Sequence, residues 1–263
     1  MTAILQISDT HIVPPGARVS GRLDTADALE RLVSRINSIR DQIGPVDALL
    51  ISGDLSDDGS AESYERFRTL IAPLGLPTYV IAGNHDAREP MRAAFAGVLP
   101  DAGPLNWTHR IGDIHLIGLD TLVEGQGQGK LSDESLSFFE TALSAAGNAP
   151  VLLALHHPPF SCGIGFMDDI RLTNRDDLRD IAAAYPGTLR SVCGHIHSMI
   201  VSDFAGHVCI SAPSPCSTFA YDRRPDGPVG FMTEEDGCLL HRWDAGFQTV
   251  RIGPVAGSGP YSF

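Results

Sequence analysis

The stretch VCGHIHS at residues 192–198 places two histidines one residue apart, directly after a glycine. The residues before it, TLRSV, have the apolar and β-branched character of a buried strand. Alternate residues past a strand end share a face, so His195 and His197 can reach one site or two adjacent sites. A solvated turn would explain the same pattern. The rest of the chain decides between a turn and a pair of metal ligands.

Four other predicted strands end in similar chemistry. The blocks that follow them are DTH at 9–11, GDLSDDG at 53–59, GNHD at 83–86 and HHPP at 156–159. In open α/β sheets, functional groups gather just past the carboxyl ends of strands. Each block alone could be an ordinary turn. Together the five blocks predict one site whose metal ligands are His, Asp and Asn side chains.

Strand and helix patterns alternate along most of the chain. Strands are predicted near 3–8, 47–52, 77–83, 150–157 and 188–194, and helices at 25–39, 60–71, 132–145 and 174–184. Ser60 is the expected N-cap of the second helix, and a hairpin is expected to turn at Gly112 and Asp113. The alternation predicts a largely parallel, buried sheet. Segments at 198–211, 229–243 and 247–253 predict antiparallel hairpins.

Composition limits the class of partner. The 263 residues are 43% hydrophobic, which suits a single domain over 1–263, with 199–263 as hairpins that cover the site or form a subunit contact. The formal charge of -13 argues against a nucleic acid polymer or an anionic membrane as partner. No signal peptide pattern opens the chain. Five cysteines without a C-x-x-C motif favour a reducing, cytoplasmic compartment.

The order and spelling of the five blocks resemble those of the calcineurin-like metallophosphoesterases, from Asp9 to His197. The resemblance implies an α/β fold, a four-layer α/β/β/α sandwich with C-terminal antiparallel hairpins. It also implies two divalent metal ions that share Asp54 as a bridge. The other ligands implied for the first ion are Asp9, His11 and His197, and those for the second are Asn84, His156 and His195.

The resemblance implies a catalytic part for Asp54 and His85. Two ions about 3.5–4 Å apart would clamp a phosphoryl group and generate a hydroxide nucleophile. His85 is expected to face the phosphate and the leaving oxygen without binding metal, with Asp57 or Asp86 setting its tautomer. The metals stay open among Fe, Mn, Co and Zn, since this ligand set accepts each of them.

One departure narrows the substrate class. Asp58 stands where the protein Ser/Thr phosphatases of this family carry an Arg that grips phosphate. The segments LHHPPF and GIGFMDDIRLTN instead resemble the class III cyclic-nucleotide phosphodiesterases and the related glycerophosphodiesterases. The expected activity is therefore the hydrolysis of small phosphodiesters. The alternatives are a phosphomonoesterase of the same fold and a non-catalytic binding protein, although no expected ligand is missing.

The remaining histidines are expected to be structural. His109, His115, His207 and His241 lie inside strand patterns, and His157 is expected to orient the loop beside His156. The C-terminal hairpins carry large apolar residues, which predicts a homo-oligomer, a dimer or higher, because two-fold pairs are the commonest assembly.

Overall fold

The computed structural model describes residues 1–224, 227–233 and 237–253. Its strands are β1 (Thr2–Ile7), β2 (Ala48–Ser52), β3 (Thr78–Ile81), β4 (Trp107–Ile111), β5 (Ile114–Gly118), β6 (Val151–Ala154), β7 (Leu189–Cys193), β8 (Val201–Phe204), β9 (His207–Ser211), β10 (Thr218–Phe219), β11 (Phe231–Met232), β12 (Cys238–Trp243) and β13 (Phe247–Ile252). Its α-helices are α1 (Thr25–Ser38), α2 (Arg40–Ile43), α3 (Ala61–Ile71), α4 (Arg88–Ala94), α5 (Asp133–Ala146), α6 (Gly165–Asp169) and α7 (Arg175–Ala183), and a 3-10 turn follows α3 at Ala72–Leu74.

The strands form two large sheets. The first has the order β13-β12-β1-β2-β3, and the second has the order β4-β5-β6-β7-β9-β8. Strands β1 to β3 run parallel, as do β5, β6, β7 and β9. Antiparallel strands occupy both edges of the second sheet and one end of the first. Parallel strands bring their carboxyl ends to one edge of each sheet, which is where the predicted site residues follow.

The two sheets pack face to face between outer helices. Along β6, Leu152 and Ala154 join the core that contains β1, β2, α1 and α3. Val151 and Leu153 point the other way and pack with residues of α5 and α7. This alternation is the two-residue period of a strand buried on both faces. The predicted four-layer α/β/β/α architecture is confirmed.

Local sequence patterns predicted most of the helix and strand ends to within a few residues of those in the structure. The Ser60 side chain accepts a hydrogen bond from the Ser63 N–H at the start of α3, as expected of an N-cap. The predicted turn at Gly112 and Asp113 joins β4 and β5 as an antiparallel hairpin. Among the helices of the described residues, none is both long enough and apolar enough to cross a membrane.

The hairpin predicted over 229–243 is wrong. Phe231–Met232 pairs with Thr218–Phe219 in a separate two-stranded sheet, whereas Cys238–Trp243 lies in the first sheet between β1 and β13. Cys238, Leu239 and Leu240 are fully buried there, so an interior position in the large sheet removes more apolar surface from water than a local hairpin would. Residues 234–236 of that segment lie outside the described residues, as do residues 254–263 of the Gly/Ser/Pro-rich C-terminal tail.

Candidate dinuclear metal centre

The loops at the strand ends turn sharply. Asp9, His11, Asp54, His195 and His197 all have positive φ, between 45° and 70°. Residues other than glycine rarely adopt this left-handed backbone conformation, and each such residue adds about 1–3 kcal/mol of conformational strain. Strain of this kind persists only where surrounding structure enforces it, and it concentrates at functional sites. Here it turns five polar side chains inward at the edge of the sheets.

Two motif glycines leave room for side chains of other blocks. A Cβ on Gly53 would lie 2.2 Å from Nδ1 of His156, and a Cβ on Gly83 would lie 2.1 Å from Oδ1 of Asp54. Real Cβ atoms do not approach other atoms this closely, so neither position tolerates a larger residue without displacing its neighbour. The Gly-Asp and Gly-Asn-His-Asp blocks therefore need glycine at their first position, because each packs directly against a side chain of another block.

The two predicted carboxylate ligands are fixed by backbone groups from other blocks. The N–H of His195 donates to Oδ1 of Asp9 at 2.9 Å, and the N–H of His85 donates to Oδ1 of Asp54 at 2.9 Å. Burial alone would raise the pKa of Asp54. The nearby His156 and His11 instead hold it well below its usual range, so the carboxylate is ionised.

The predicted ligands of the first ion lie together around these carboxylates. Metal-capable atoms of Asp9, His11 and His197 lie within 4.8 Å of one another, as do those of Asp9, Asp54 and His156. Oδ2 of Asp54 is 3.6 Å from Nε2 of His11 and 3.3 Å from Nε2 of His156. Asp54 thus lies between one predicted ligand of each ion, where a bridging carboxylate has to be.

Hydrogen bonds orient the imidazole rings. Nδ1 of His156 lies 2.8 Å from the carbonyl oxygen of Ser52, and Nδ1 of His11 lies 3.0 Å from Oδ1 of Asp57. Nδ1 of His197 lies 3.3 Å from the hydroxyl of Ser217. In the neutral form, a ring that donates from Nδ1 presents an Nε2 lone pair that a metal ion can bind in place of a proton, and such outer partners typically orient metal-binding histidines.

Several buried atoms in the cluster lack partners. Within the described residues, Nε2 of His156, Nε2 of His195 and Oδ1 of Asn84 are buried without a hydrogen bond. An unsatisfied buried polar atom costs about 1–3 kcal/mol. Nε2 of His11 also faces Nε2 of His197 at 3.1 Å. Cations among these lone pairs and carboxylates would satisfy all of them, so the residues present fit two divalent metal ions.

His157 is held away from this role. Its Nδ1 lies 2.8 Å from the hydroxyl of Thr121 and its Nε2 lies 3.2 Å from the carbonyl oxygen of Gly127. Burial, reinforced by the charge of His156, lowers the pKa of His157 to about 3, so the ring is neutral. Although its nitrogens lie near those of His156 and His195, both are engaged elsewhere. The ring packs against the rings of His156 and His195, and its expected part in orienting the loop beside His156 stays a prediction.

His85 lies at the mouth of the site with its side chain 41% exposed. Its Nδ1 lies 3.3 Å from Oδ1 and 3.2 Å from the backbone oxygen of Asp57. Burial would lower the pKa of His85, but hydrogen bonding to Asp57 and the charge of Asp54 raise it to about 10. Of the two carboxylates considered as partners for His85, Asp57 makes the contact. The same carboxylate orients His11.

Asp86 has a structural place that its position in the GNHD block did not reveal. It accepts hydrogen bonds from the N–H groups of Gly83 and Ser56, at 2.8 and 3.2 Å, and from the hydroxyl of Tyr64 at 3.1 Å. The Tyr64 oxygen in turn accepts from the N–H of Ala87 at 2.9 Å. This buried carboxylate therefore joins the second and third blocks to α3.

A second ion pair anchors the helix that follows the third block. The guanidinium of Arg88, at the start of α4, donates to Oδ2 of the buried Asp120 at 2.7 Å. Asp120 also accepts from the N–H of Leu105 at 2.9 Å. Neither α4 nor this pairing was predicted.

A cavity of about 230 Å³ opens beside the cluster. Its lining includes the polar residues His11, His85 and His197 and the apolar residues Leu23, Phe219 and Phe231. The apolar part of the lining was not predicted from the sequence. Its residues come from a loop before α1 and from the small β10–β11 sheet, neither of which carries a metal-binding block.

A family model for calcineurin-like phosphoesterases matches residues 2–199. The chain belongs to this family. It is 32% identical to a probable glycerophosphodiester phosphodiesterase of Arcobacter nitrofigilis, over 99% of this chain and 96% of the relative. It is 36% identical to a 3',5'-cyclic adenosine monophosphate phosphodiesterase of Pseudomonas aeruginosa, over 90% of this chain and 87% of the relative.

A solved structure shares the fold. A dimetal phosphatase from Danio rerio superposes with a TM-score of 0.64 at 14% identity, over 91% of this chain and 92% of that one. At this identity the likeness concerns the fold alone. It agrees with the two sheets and flanking helices described above, and the predicted membership of the calcineurin-like phosphoesterases is confirmed.

Proposed function

We propose that this protein hydrolyses small phosphodiesters with the help of two divalent metal ions. The observation that carries the proposal is the set of buried atoms of Asn84, His156 and His195 that make no hydrogen bond within the described residues and surround an ionised Asp54. The names of the relatives, a glycerophosphodiester phosphodiesterase and a cyclic AMP phosphodiesterase, support the reaction class. Both the ligand assignment and the substrate class are part of the proposal.

In this assignment one ion would be held by Asp9, His11, Asp54 and His197, and the other by Asp54, Asn84, His156 and His195. When bound, such ions act as Lewis acids toward phosphoryl oxygens and activate water near neutral pH. The protein holds each ligand in place beforehand. Backbone N–H groups fix Asp9 and Asp54, and the acceptors at Ser52, Asp57 and Ser217 orient three of the imidazoles.

His85 is the proposed proton donor to the departing alkoxide. Its Nδ1 is engaged by Asp57, which leaves Nε2 as the nitrogen able to donate. The ring lines the cavity and lies 4.7 Å from the ring of His11, centroid to centroid. A substrate bound over the cluster would therefore meet both the metal ligands and this imidazole. General acids placed in this way accelerate ester cleavage by about 10²–10⁴-fold.

The charges around the cavity favour a diester over a monoester. A monoester dianion carries one more negative charge, and a bidentate Arg is a common way to bind it beyond what a single imidazolium such as His85 supplies. Within the described residues, no Lys or Arg lines the cavity. Asp58, in the position of the phosphatase Arg, instead accepts hydrogen bonds from the hydroxyl of Ser56 and the N–H of Ser60, at 2.9 and 3.0 Å.

The proposal is tested with metal-stripped protein reconstituted separately with Mn²⁺, Co²⁺, Zn²⁺ and Fe²⁺. Each form is assayed with bis(p-nitrophenyl) phosphate and with p-nitrophenyl phosphate. We expect at least tenfold higher kcat/KM for the diester with the best metal, and no turnover by stripped protein. A preference for the monoester would assign the protein to the phosphomonoesterases. Absence of turnover with every metal would favour the binding-protein alternative.

We also propose a cytoplasmic location and a homo-oligomeric state. All five cysteines lie buried and unpaired within the described residues, which agrees with a reducing compartment.

A further inference from the structure

The cavity beside the metal cluster has an apolar wall that the proposed reaction does not explain. The wall is assembled from three separate segments. Leu23 and Cys216 belong to a small buried cluster, and Val19 and Phe231 pack against that cluster. Val19 and Leu23 are bridged by paired backbone hydrogen bonds at 3.1 and 2.9 Å, so the loop before α1 holds them in a fixed turn.

Two aromatic rings complete this wall. Phe219 lies directly opposite Phe231 in the β10–β11 pairing, and both rings are half-buried. The ring of Phe219 is 4.9 Å from the ring of His197 and 5.1 Å from the ring of Phe166, between centroids. The apolar wall therefore begins with a ring, that of Phe219, which packs next to the proposed metal ligand His197. A group attached to a phosphate over the cluster would be within reach of it.

The polar groups of the wall are largely engaged with the protein. The Thr25 hydroxyl donates to the carbonyl oxygen of His11 at 2.9 Å, and the Ser214 hydroxyl donates to that of Asp9 at 2.8 Å. The Ser217 hydroxyl lies against Nδ1 of His197 at 3.3 Å. The Thr25 and Ser214 hydroxyls therefore use their only donors within the protein and keep only acceptor lone pairs for a substituent. The cavity thus offers mainly apolar and aromatic surface at this end.

We propose that this wall, formed by Val19, Leu23, Phe219 and Phe231, binds the organic substituent of the diester and selects a planar aromatic group over a polyol. A purine or pyrimidine base of a cyclic nucleotide has this chemistry, whereas the glycerol of a glycerophosphodiester does not. The cavity volume of about 230 Å³ is enough for one small substituent. It lies below the roughly 300–1,000 Å³ of sites for drug-sized ligands. The inference rests on the proposed phosphodiesterase function.

The test uses the metal-loaded full chain and the variants Phe219→Ala and Phe231→Ala. Substrates are 3',5'-cyclic AMP and glycerophosphoglycerol, with KM and kcat determined for each. Removing an aromatic partner of a stacked base typically weakens its binding roughly 5- to 100-fold. We expect a loss of that size in kcat/KM for cyclic AMP, mostly through KM, and less than a twofold change for glycerophosphoglycerol. Calorimetric titration with 5'-AMP and with glycerol 3-phosphate should show the same contrast.

Phe247→Ala is the matched control. Phe247 is also a half-buried ring on an edge strand, where it packs 4.9 Å from Trp243, but it lies opposite Trp243 at the far end of the first sheet. Phe247→Ala should leave kcat/KM unchanged for both substrates. Equal losses on both substrates in Phe219→Ala and Phe231→Ala, or none on either, would overturn the proposed selectivity. If the wild-type protein cleaves the glycerol diester better than cyclic AMP, the wall assignment also fails while the phosphodiesterase function stands. If it cleaves no diester, the proposed function itself fails.

Discussion

At the scale of single residues, Asp54 is the position on which the proposed centre depends. Its two oxygens are divided between tasks: Oδ1 accepts the N–H of His85, and Oδ2 faces both His11 and His156. No other carboxylate of the GDLSDDG block lies between the two predicted ligand sets. Asp57, in the same block, instead contacts Nδ1 of His11 from the outside.

Asp54→Ala should therefore lower metal content and activity together. We expect fewer than two ions per chain by elemental analysis after dialysis, and turnover near background. The matched control is Asp58→Ala, which removes a carboxylate that caps a turn in the same loop. That variant should keep both ions. Two ions retained in Asp54→Ala would rule out the bridging assignment.

His85 should separate proton transfer from metal binding. Its ring contacts Asp57 and the edge of His11, whereas the unpartnered buried atoms of the cluster belong to other residues. We expect His85→Ala to retain two ions and to lose about 10²–10⁴ in turnover of alkyl diesters. The loss should be smaller with p-nitrophenolate, a leaving group that needs little protonation.

His115→Ala, on strand β5, is the control for His85→Ala and should change neither property. Equal slowing of alkyl and p-nitrophenyl diesters by His85→Ala would mean that the imidazole stabilises phosphate charge and is not the acid. Loss of metal in this variant would instead make His85 a ligand.

At the scale of structural elements, the site depends on strand ends that pack against one another. The loop after β3 approaches the loop after β2 so closely that Gly83 has no room for a Cβ beside Asp54. The backbone of Gly83 also donates to Asp86, which holds the two loops together with Tyr64 of α3. The position of the bridging carboxylate is thus a property of two loops and a helix, and not of the Gly-Asp dipeptide alone.

Gly83→Ala should displace Asp54 and weaken metal binding about 10- to 100-fold, a loss typical of disturbed support around metal ligands. Competition with a chelator measures the affinity. Gly165→Ala is the control, since an added Cβ there meets no atom within 4 Å and the residue does not have positive φ. Unchanged affinity in Gly83→Ala would show that the close contact with Asp54 does not position it.

At the scale of the whole molecule, exposed apolar side chains gather near the β10–β11 sheet. Tyr221, Val229 and Met232 are 64%, 69% and 57% exposed. Large apolar residues left in water next to a functional cavity are typical of an interaction surface. Because two-fold pairs are the commonest assembly, we expect this surface to contact its own copy in a dimer.

Light scattering should accordingly give about twice the 28.1 kDa chain mass at micromolar concentration. The double variant Val229→Lys and Met232→Lys should shift the protein to a monomer. Val201→Lys, at a 60% exposed position on β8, is the control and should leave the dimer intact. A wild-type mass of one chain throughout the micromolar range would contradict the expectation.

The sequence patterns alone determined the alternation of strands and helices and the five blocks of polar residues at strand ends, whereas the four-layer class of fold came from the family resemblance. These features are local, because apolar runs predict the buried strands and the glycine, Asp and His residues that follow predict where those strands end. The types of ligand also follow from the spelling of the blocks. What could be read without the structure is therefore what lies within about ten residues of a strand end.

Only the tertiary structure decided how those pieces are joined. In the folded chain Asp57, and not Asp86, contacts Nδ1 of His85, and the hydroxyl of Ser217 lies against Nδ1 of His197. The tertiary structure also divided the segment at 229–243 between two sheets and formed the apolar wall from Leu23, Phe219 and Phe231. Each of these contacts joins segments distant along the chain or selects one of several equally apolar partners. That choice depends on burying surface across the whole molecule, which no local pattern records.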